Sequence, residues 1–297
     1  MGWLERGVRG LYENILRREI SGVPTHVAII QDGNRRYARE RDEEAKRGHE
    51  AGAETTERVL EWCADLGVEE LTLYAFSTEN FERPPAERDH LFDLLTEKLV
   101  EFADSDRVHE EGVKIRALGQ TERMPERVQD AIQYAQRRTE DYDALTLNVA
   151  IAYGGRAALL AVARELAAEV RAGELEPADV DVAAIESRLY DGEMRDVDLI
   201  VRTGGDERTS NFLPWHANGN EAAAFFCAPY WPEFSKVDFL RAIRTYEARE
   251  ASWRRTRTQR ALALVRALGD EVQERRVLER IGISLPDGIE ERESLAD

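Results

Sequence analysis

His26-Val27-Ala28-Ile29-Ile30-Gln31-Asp32-Gly33-Asn34-Arg35-Arg36-Tyr37-Ala38 is the most informative stretch of this 297-residue chain. Five residues of apolar strand run into Asp-Gly-Asn, and a helix-forming segment with two arginines follows at once. That is the strand–turn–helix half of a βα unit. Working outward, the same rhythm repeats. Strands are predicted at His26–Ile30, Leu71–Phe76, Val113–Leu118, Leu145–Ala152, Val197–Arg202 and Ala223–Cys227, with helix-period segments near 49–66, 86–108, 124–141, 155–173 and 178–190. The expectation is an α/β fold: a single domain with a central, mostly parallel six-stranded sheet flanked by helices.

Ahead of the first strand, Trp3, Leu4, Val8, Leu11, Tyr12, Ile15 and Leu16 share one helical stripe. This amphipathic helix can pack on its own domain or lie on a membrane surface. Pro24 and Ser21-Gly22 end it, giving an expected layout of 1–22 as N-terminal helix, 23–250 as the main domain and 251–297 as a helical extension with a frayed tail.

Composition narrows the function classes. Forty-one bases against 59 acids give a net charge of −18, which disfavours nucleic acid as a partner. Cys63 and Cys227 sit in unrelated contexts and indicate neither a disulfide framework nor a zinc site. No long uninterrupted apolar run or leader-like segment is read, so the expected location is cytoplasmic. Only Lys46, Lys98, Lys114 and Lys236 are lysines, and this acid-rich, lysine-poor surface suits a salt-rich cytoplasm. The unfolding midpoint is therefore expected to rise as KCl goes from low to molar concentration; a midpoint that falls contradicts salt adaptation.

Ligands of open parallel sheets sit beyond the carboxyl ends of the strands, so three post-strand segments carry the chemistry. The first, Asp32–Ala38, offers helix-end N–H groups and guanidinium forks for a diphosphate, with Asp32 able to hold a divalent cation. It reads equally as a capping Asp, a turn Gly and solvent-facing arginines. Gly48-His49-Glu50-Ala51-Gly52 then opens a helix with glycines where a backbone or a phosphate could approach closely. The second segment, Phe76-Ser77-Thr78-Glu79-Asn80-Phe81-Glu82-Arg83, mixes an aromatic wall with polar groups, as a pocket or as a capped turn. The third, Arg202-Thr203-Gly204-Gly205-Asp206-Glu207-Arg208-Thr209-Ser210, again supplies forks, flexible backbone and a hydroxyl. Glu221 beyond it is a candidate Mg²⁺ ligand or an ordinary strand-end acid. Two anion sites beside an apolar pocket point to prenyl transfer.

In order and spacing these segments resemble the cis-prenyltransferase family over roughly residues 26–250, and the double-arginine form Asp32–Arg36 is similar to its archaeal and eukaryotic members. With the acid-rich surface, a halophilic archaeal source is expected. The resemblance implies a long-chain cis-polyprenyl diphosphate synthase that adds isopentenyl diphosphate to an allylic prenyl diphosphate, with geranylgeranyl diphosphate favoured as primer; the alternative is a non-catalytic, prenyl-diphosphate-binding partner subunit. It implies that Asp32, with Mg²⁺ shared by Glu221, and Asn80 act in catalysis. Gly33, Asn34, Arg35, Arg36, Tyr37 and His49 fall at the allylic diphosphate, and Ser77, Phe81 and Arg83 at the segment that orients the second substrate. Arg202, Arg208 and Ser210 match the grip on isopentenyl diphosphate. A homodimer is implied as well. The growing chain needs an apolar tunnel, for which the helix bearing Leu91, Phe92, Leu95, Leu99 and Phe102 has a suitable stripe.

Two departures stand out. Ala45 occupies the place of an additional diphosphate-binding arginine of many bacterial relatives, and Ser252-Trp253-Arg254 stands where the family has Arg-X-Gly, whose letters recur only at Arg280-Ile281-Gly282. Arg254, Arg255, Arg257 and Arg260 form the one locally basic run, a solvated or subunit-facing helix or a contact for anionic lipid.

Overall fold

The computed structural model describes residues 3–190, 194–217 and 222–267, with side chains from residue 10. Its elements in chain order are α1 (Trp3–Glu19), β1 (His26–Ile30), α2 (Asn34–Arg39), α3 (Ala45–Leu66), β2 (Glu70–Ser77), α4 (Pro85–Asp104), α5 (Asp106–Glu110), β3 (Val113–Leu118), α6 (Glu126–Arg138), β4 (Leu145–Tyr153), α7 (Gly155–Ala172), α8 (Val182–Leu189), β5 (Leu199–Arg202), β6 (Ala223–Phe226) and α9 (Lys236–Ala267). The six strands form one sheet in the order β3-β4-β2-β1-β5-β6, every pairing parallel.

Strand residues alternate between the two faces, as the pleat requires. Val27 and Ile29 of β1 join one buried cluster with Leu145, Leu147 and Val149 of β4, Val59 and Trp62 of α3 and Phe239 of α9. Ala28 and Ile30 face a second cluster with Val162 and Leu166 of α7 and Leu189 of α8. Both faces are thus covered, which explains why β1 is buried at every position and apolar after His26.

The predicted strands all form, with ends shifted by one or two residues. Two helical expectations change. The segment 86–108 breaks at Ser105 into α4 and α5, Ser105 being extended (ψ 126). A long helix also starts at Lys236, where the sequence offers a weak period, because Phe239, Ala242 and Ile243 bury fully against the first cluster and Leu240 is buried beside them. The N-terminal stripe is covered only in part: Leu16 is buried, whereas Leu11 is 64% exposed and Tyr12 and Ile15 are exposed too.

The chain divides into compact units Met1–Glu247 and Ala248–Asp297. In the second, the described residues are the continuation of α9, on which Arg254 and Arg255 are exposed. The side chains of Arg257 and Arg260, the Arg280-Ile281-Gly282 stretch and the tail lie outside the described residues.

Topology positions the site. From β1 the chain moves to one side to form β2, β3 and β4, then crosses to the other side of β1 for β5 and β6. The loops leaving β1 and β5 therefore diverge, opening a crevice at their carboxyl ends. Ile30 pairs with Arg202 in register, so Asp32 and the Arg202–Ser210 loop start side by side.

Candidate active site

Asp32 is fixed by its backbone before its side chain does anything. Its N–H donates to Thr203 Oγ1 (3.1 Å), and its carbonyl accepts from Thr203 Oγ1 (2.7 Å) and from the Trp231 N–H (3.0 Å). Gly33 follows at φ 106, and a Cβ there would lie 2.6 Å from the Tyr230 ring, so only glycine makes this turn. The turn launches α2, whose first N–H groups have no partner within the helix.

The carboxylate of Asp32 meets Arg202 Nη2 at 2.6 Å through Oδ2 and Arg36 Nη2 at 3.1 Å through Oδ1. Partial burial works to raise its pKa, but hydrogen bonding and charge from Arg202, then Arg36, outweigh it and hold the acid below its ordinary value. Arg202, with its side chain 4% exposed, is the hub: Nη1 donates to the Arg208 carbonyl and to Ser210 Oγ (both 2.6 Å), and Nη2 also reaches Asp206 (3.2 Å). Arg208 is exposed and pairs with Asp206 at 3.1 Å. Ser210, Asn211 and Leu213 all take positive φ in this loop, a concentration of backbone strain that marks functional segments.

A second cluster stands beside the first. Glu87, on the first turn of α4, accepts from Arg83 (2.6 Å) and lies 3.8 Å from both Arg35 and His49 Nε2. Burial, then the charge of Arg83, depresses the His49 pKa to about 4, so its ring is neutral at neutral pH. The charge of Asp32 reaches Arg83, which ties the clusters together. Arg35, Arg36, Arg83, Arg202 and Arg208 against Asp32, Asp206 and Glu87 leave this cluster with two more cations than anions, in a chain of net −18. A local cationic well in an acidic protein is an anion site.

The remaining candidates take defined places. Asn80 Oδ1 accepts from the Ser77 N–H (2.8 Å), so these two shape the 3-10 turn Thr78–Glu82 that carries Phe81 towards α4. Phe81 packs edge-to-face with Phe76 (5.1 Å), and the Arg123 guanidinium lies over its ring (4.5 Å). Tyr37 lies under Arg41 (3.7 Å), a contact within its own stretch of chain. Glu221 lies outside the described residues. Gly48 and Gly52 accommodate backbone and side chain of the Asn34 turn: added Cβ atoms would stand 2.0 Å from the Asn34 carbonyl oxygen and 2.5 Å from Asn34 Oδ1.

Between α3, α4 and the sheet, a largely apolar cavity is lined by Asn34 and His49 together with Leu73, Leu147, Leu99 and Phe102. Phe92 packs in the core and does not line it; Leu94 and Lys98 do. Three buried polar atoms at the site, Asn34 Oδ1, His49 Nε2 and Arg202 Nε, have no hydrogen-bond partner, a costly arrangement unless a ligand completes it. Asp32 is the carboxylate that could hold a cation here, and its ionised oxygens fit Mg²⁺, which takes one or two carboxylates alongside phosphate oxygens. Among the described residues no cluster of three or more metal-ligating side chains occurs.

Glu87, Asp206, Thr203 and Trp231 are structural members of this site that the sequence does not single out. Glu87 does have a visible signal, an acid at the first turn of a proline-initiated helix four residues after Arg83. Replacing it by glutamine removes the anion that holds Arg35 and Arg83 in one place. The expected result is a rise of about tenfold in KM for a diphosphate substrate with a smaller change in kcat, read from steady-state kinetics.

A cationic crevice at the sheet's switch point, beside an apolar cavity, suits the diphosphate ester of a long hydrocarbon. The comparisons agree: residues 30–254 match the family described as putative undecaprenyl diphosphate synthase. The chain belongs to this family, the cis-prenyltransferases. It is 69% identical to the geranylgeranyl-diphosphate-specific tritrans,polycis-undecaprenyl-diphosphate synthase of Halobacterium salinarum, covering 96% of this chain and 94% of that one. The protein of the same description from Haloarcula marismortui is 60% identical, covering 99% and 100%. Among solved structures, lavandulyl diphosphate synthase from Lavandula x intermedia, in complex with dimethylallyl diphosphate, superposes with a TM-score of 0.70 at 32% identity, over 75% of this chain and 95% of that one. A probable undecaprenyl diphosphate synthase from Campylobacter jejuni gives 0.61 at 30%, over 76% and 96%.

Proposed function

We propose that the protein condenses isopentenyl diphosphate repeatedly, in cis, onto geranylgeranyl diphosphate to make an undecaprenyl-length polyprenyl diphosphate, the precursor of a glycosyl carrier lipid. The observation that carries this is the Asp32–Arg36–Arg202 charge cluster next to an apolar cavity that Asn34 and His49 help to line. The specificity named for the haloarchaeal relatives supports the same primer and product.

In this reading the Gly33–Tyr37 turn and His49 receive the allylic diphosphate, and its hydrocarbon descends between α3 and α4. Arg202, Arg208 and Ser210 hold isopentenyl diphosphate, with Ser77, Asn80, Phe81 and Arg83 orienting it. When bound, Mg²⁺ held by Asp32 and Glu221 would supply Lewis-acid stabilisation of the departing diphosphate. The arginines and turn N–H groups of the chain stabilise the same developing charge, favouring cleavage of the allylic C–O bond. The isopentenyl double bond then attacks the allylic carbon, and loss of a proton sets the new cis double bond. Holding both substrates in one crevice supplies the orientation that solution lacks.

Homodimerisation belongs to this proposal and is tested by mass measurement in solution. Among the described residues, no helix is long and apolar enough to cross a membrane. Contact of the exposed α1 residues with a lipid surface is tested by vesicle flotation.

The functional test incubates purified protein in molar KCl with Mg²⁺, labelled isopentenyl diphosphate and either geranylgeranyl or farnesyl diphosphate. A ladder of long products from geranylgeranyl diphosphate is the expected result. Absence of incorporation by folded protein that still binds a diphosphate overturns the assignment in favour of a non-catalytic partner subunit.

A further inference from the structure

The loop after β5 holds a shape that its own residues do not favour. Ser210, Asn211 and Leu213 stand at φ 47, 61 and 45, in the left-handed region. Asparagine tolerates that region, whereas serine and leucine carry its steric cost. The shape nonetheless matters to the site, because it sets the Arg208 carbonyl and Ser210 Oγ each 2.6 Å from Nη1 of the buried Arg202. A hold from outside the loop has to meet that cost.

Asn211 makes the connection. Its carbonyl accepts from the Gly155 N–H (3.0 Å), and its Oδ1 accepts from the Arg156 N–H (2.8 Å), across 55 residues of sequence. Gly155 and Arg156 open α7, and the first N–H groups of a helix have no partner inside it. Main chain and side chain of one residue therefore fasten the loop to a long, rigid element at two points. The seat is close: a Cβ on Gly155 would stand 2.1 Å from Pro214 Cδ and 2.9 Å from the Asn211 carbonyl oxygen. Beside this anchor Phe212 is buried and stacks on Tyr74 of β2, with ring centroids 4.6 Å apart and planes 6° from parallel. The stack fixes the depth of the loop, and the Asn211 side chain fixes its rotation, since Oδ1 reaches Arg156 from the left-handed backbone.

Resting on the function proposed above, we propose that Asn211 is a positioning residue for isopentenyl diphosphate, locking Ser210 and Arg208 onto Arg202 so that the diphosphate grip exists before the substrate arrives. It acts through Ser210 and Arg202. The effect is selective for one substrate, because the turn that receives the allylic diphosphate is held from elsewhere, by Thr203, Tyr230 and Trp231.

Three substitutions test this in the full chain, in molar KCl. Asn211→Ala removes the Oδ1 acceptor, Asn211→Gly removes it while leaving the left-handed backbone easy to adopt, and Asn211→Asp keeps an acceptor oxygen in place, its added charge screened by the salt. Affinity for isopentenyl diphosphate is read by titration calorimetry, and KM for isopentenyl and geranylgeranyl diphosphate by varying each in turn. In the Ala and Gly variants Kd and KM for isopentenyl diphosphate are expected to rise about tenfold while KM for geranylgeranyl diphosphate stays within about twofold; Asn211→Asp is expected within about threefold of the parent. Where Asn211→Ala does not fold, Asn211→Gly serves. Unchanged isopentenyl diphosphate affinity, an equal rise in both KM values, or a loss in Asn211→Asp as large as in Asn211→Ala overturns the inference. Unmodified protein that binds isopentenyl diphosphate without condensing it overturns the proposed function, and Kd alone then decides the role of Asn211; unmodified protein that does not bind it overturns both.

Discussion

Asp32→Asn is expected to lower kcat by about a thousandfold while the protein stays folded. Asparagine preserves the shape of the side chain, and the backbone bonds of residue 32 to Thr203 and Trp231 do not involve the carboxylate. What goes is the charge that orders Arg202 and Arg36 and, in the proposed mechanism, receives Mg²⁺. Asp32→Ala adds a structural cost, because it removes a carboxylate from the buried Arg202 guanidinium. That cost is on the order of 2 kcal/mol, less than a fully buried pair would lose, since Asp206 remains 3.2 Å from the same nitrogen. Linkage gives a second readout. The Asp32 pKa is depressed below 3.8 in the folded protein, so its stabilisation is present above that value and is lost as pH falls through the folded pKa. Denaturant unfolding from neutral pH downward should therefore show a component of acid lability that Asp32→Asn lacks. A variant with near-normal kcat at saturating Mg²⁺ would sink the catalytic assignment of Asp32.

Gly48→Ala tests the architecture around the same loop, and its expected loss is at least a hundredfold in kcat/KM. The new methyl would stand 2.0 Å from the carbonyl oxygen of Asn34 and 2.8 Å from its carbon. Both are backbone atoms, so no side-chain rotation relieves the clash; either α3 or the Asn34 turn must move. Movement of about an ångström at that turn displaces Arg35 and Arg36 together, and misplacement on that scale costs large factors in rate. Gly67→Ala is the control. That glycine ends α3 at φ 80 with open space around its Cβ, so alanine should cost about 1–2 kcal/mol in stability and leave kcat/KM unchanged. Equal losses of activity in both variants would show that Gly48 acts through stability alone.

The legible part of this molecule is the part written in local pattern. Apolar runs alternating with helical periods yield the inner strands, because strands covered on both faces exclude most polar residues, and the edge strand β3 is read from its alternation Val-Lys-Ile-Arg. The β1 turn is legible for a related reason: Asp-Gly-Asn directly after an apolar strand leaves few conformations, and Gly33 takes the left-handed one. Helix α9 is less legible. Its burial is concentrated in Phe239, Leu240, Ala242 and Ile243, whose partners Trp62, Trp231 and Phe234 are remote or lie across a turn.

The sequence by itself determined the parallel α/β class, the three chemistry-bearing loops and, through their order and spacing, the family. Each of those is a property of neighbours along the chain. Only the tertiary structure decided that Asp32 binds Arg202, 170 residues away, and that Glu87 gathers Arg35, Arg83 and His49. Those relations depend on strand order, which places β5 beside β1, and on the parallel descent of α3 and α4 over one face of the sheet. Strand order and helix docking are settled by long-range burial, for which residues close in sequence carry no local signature.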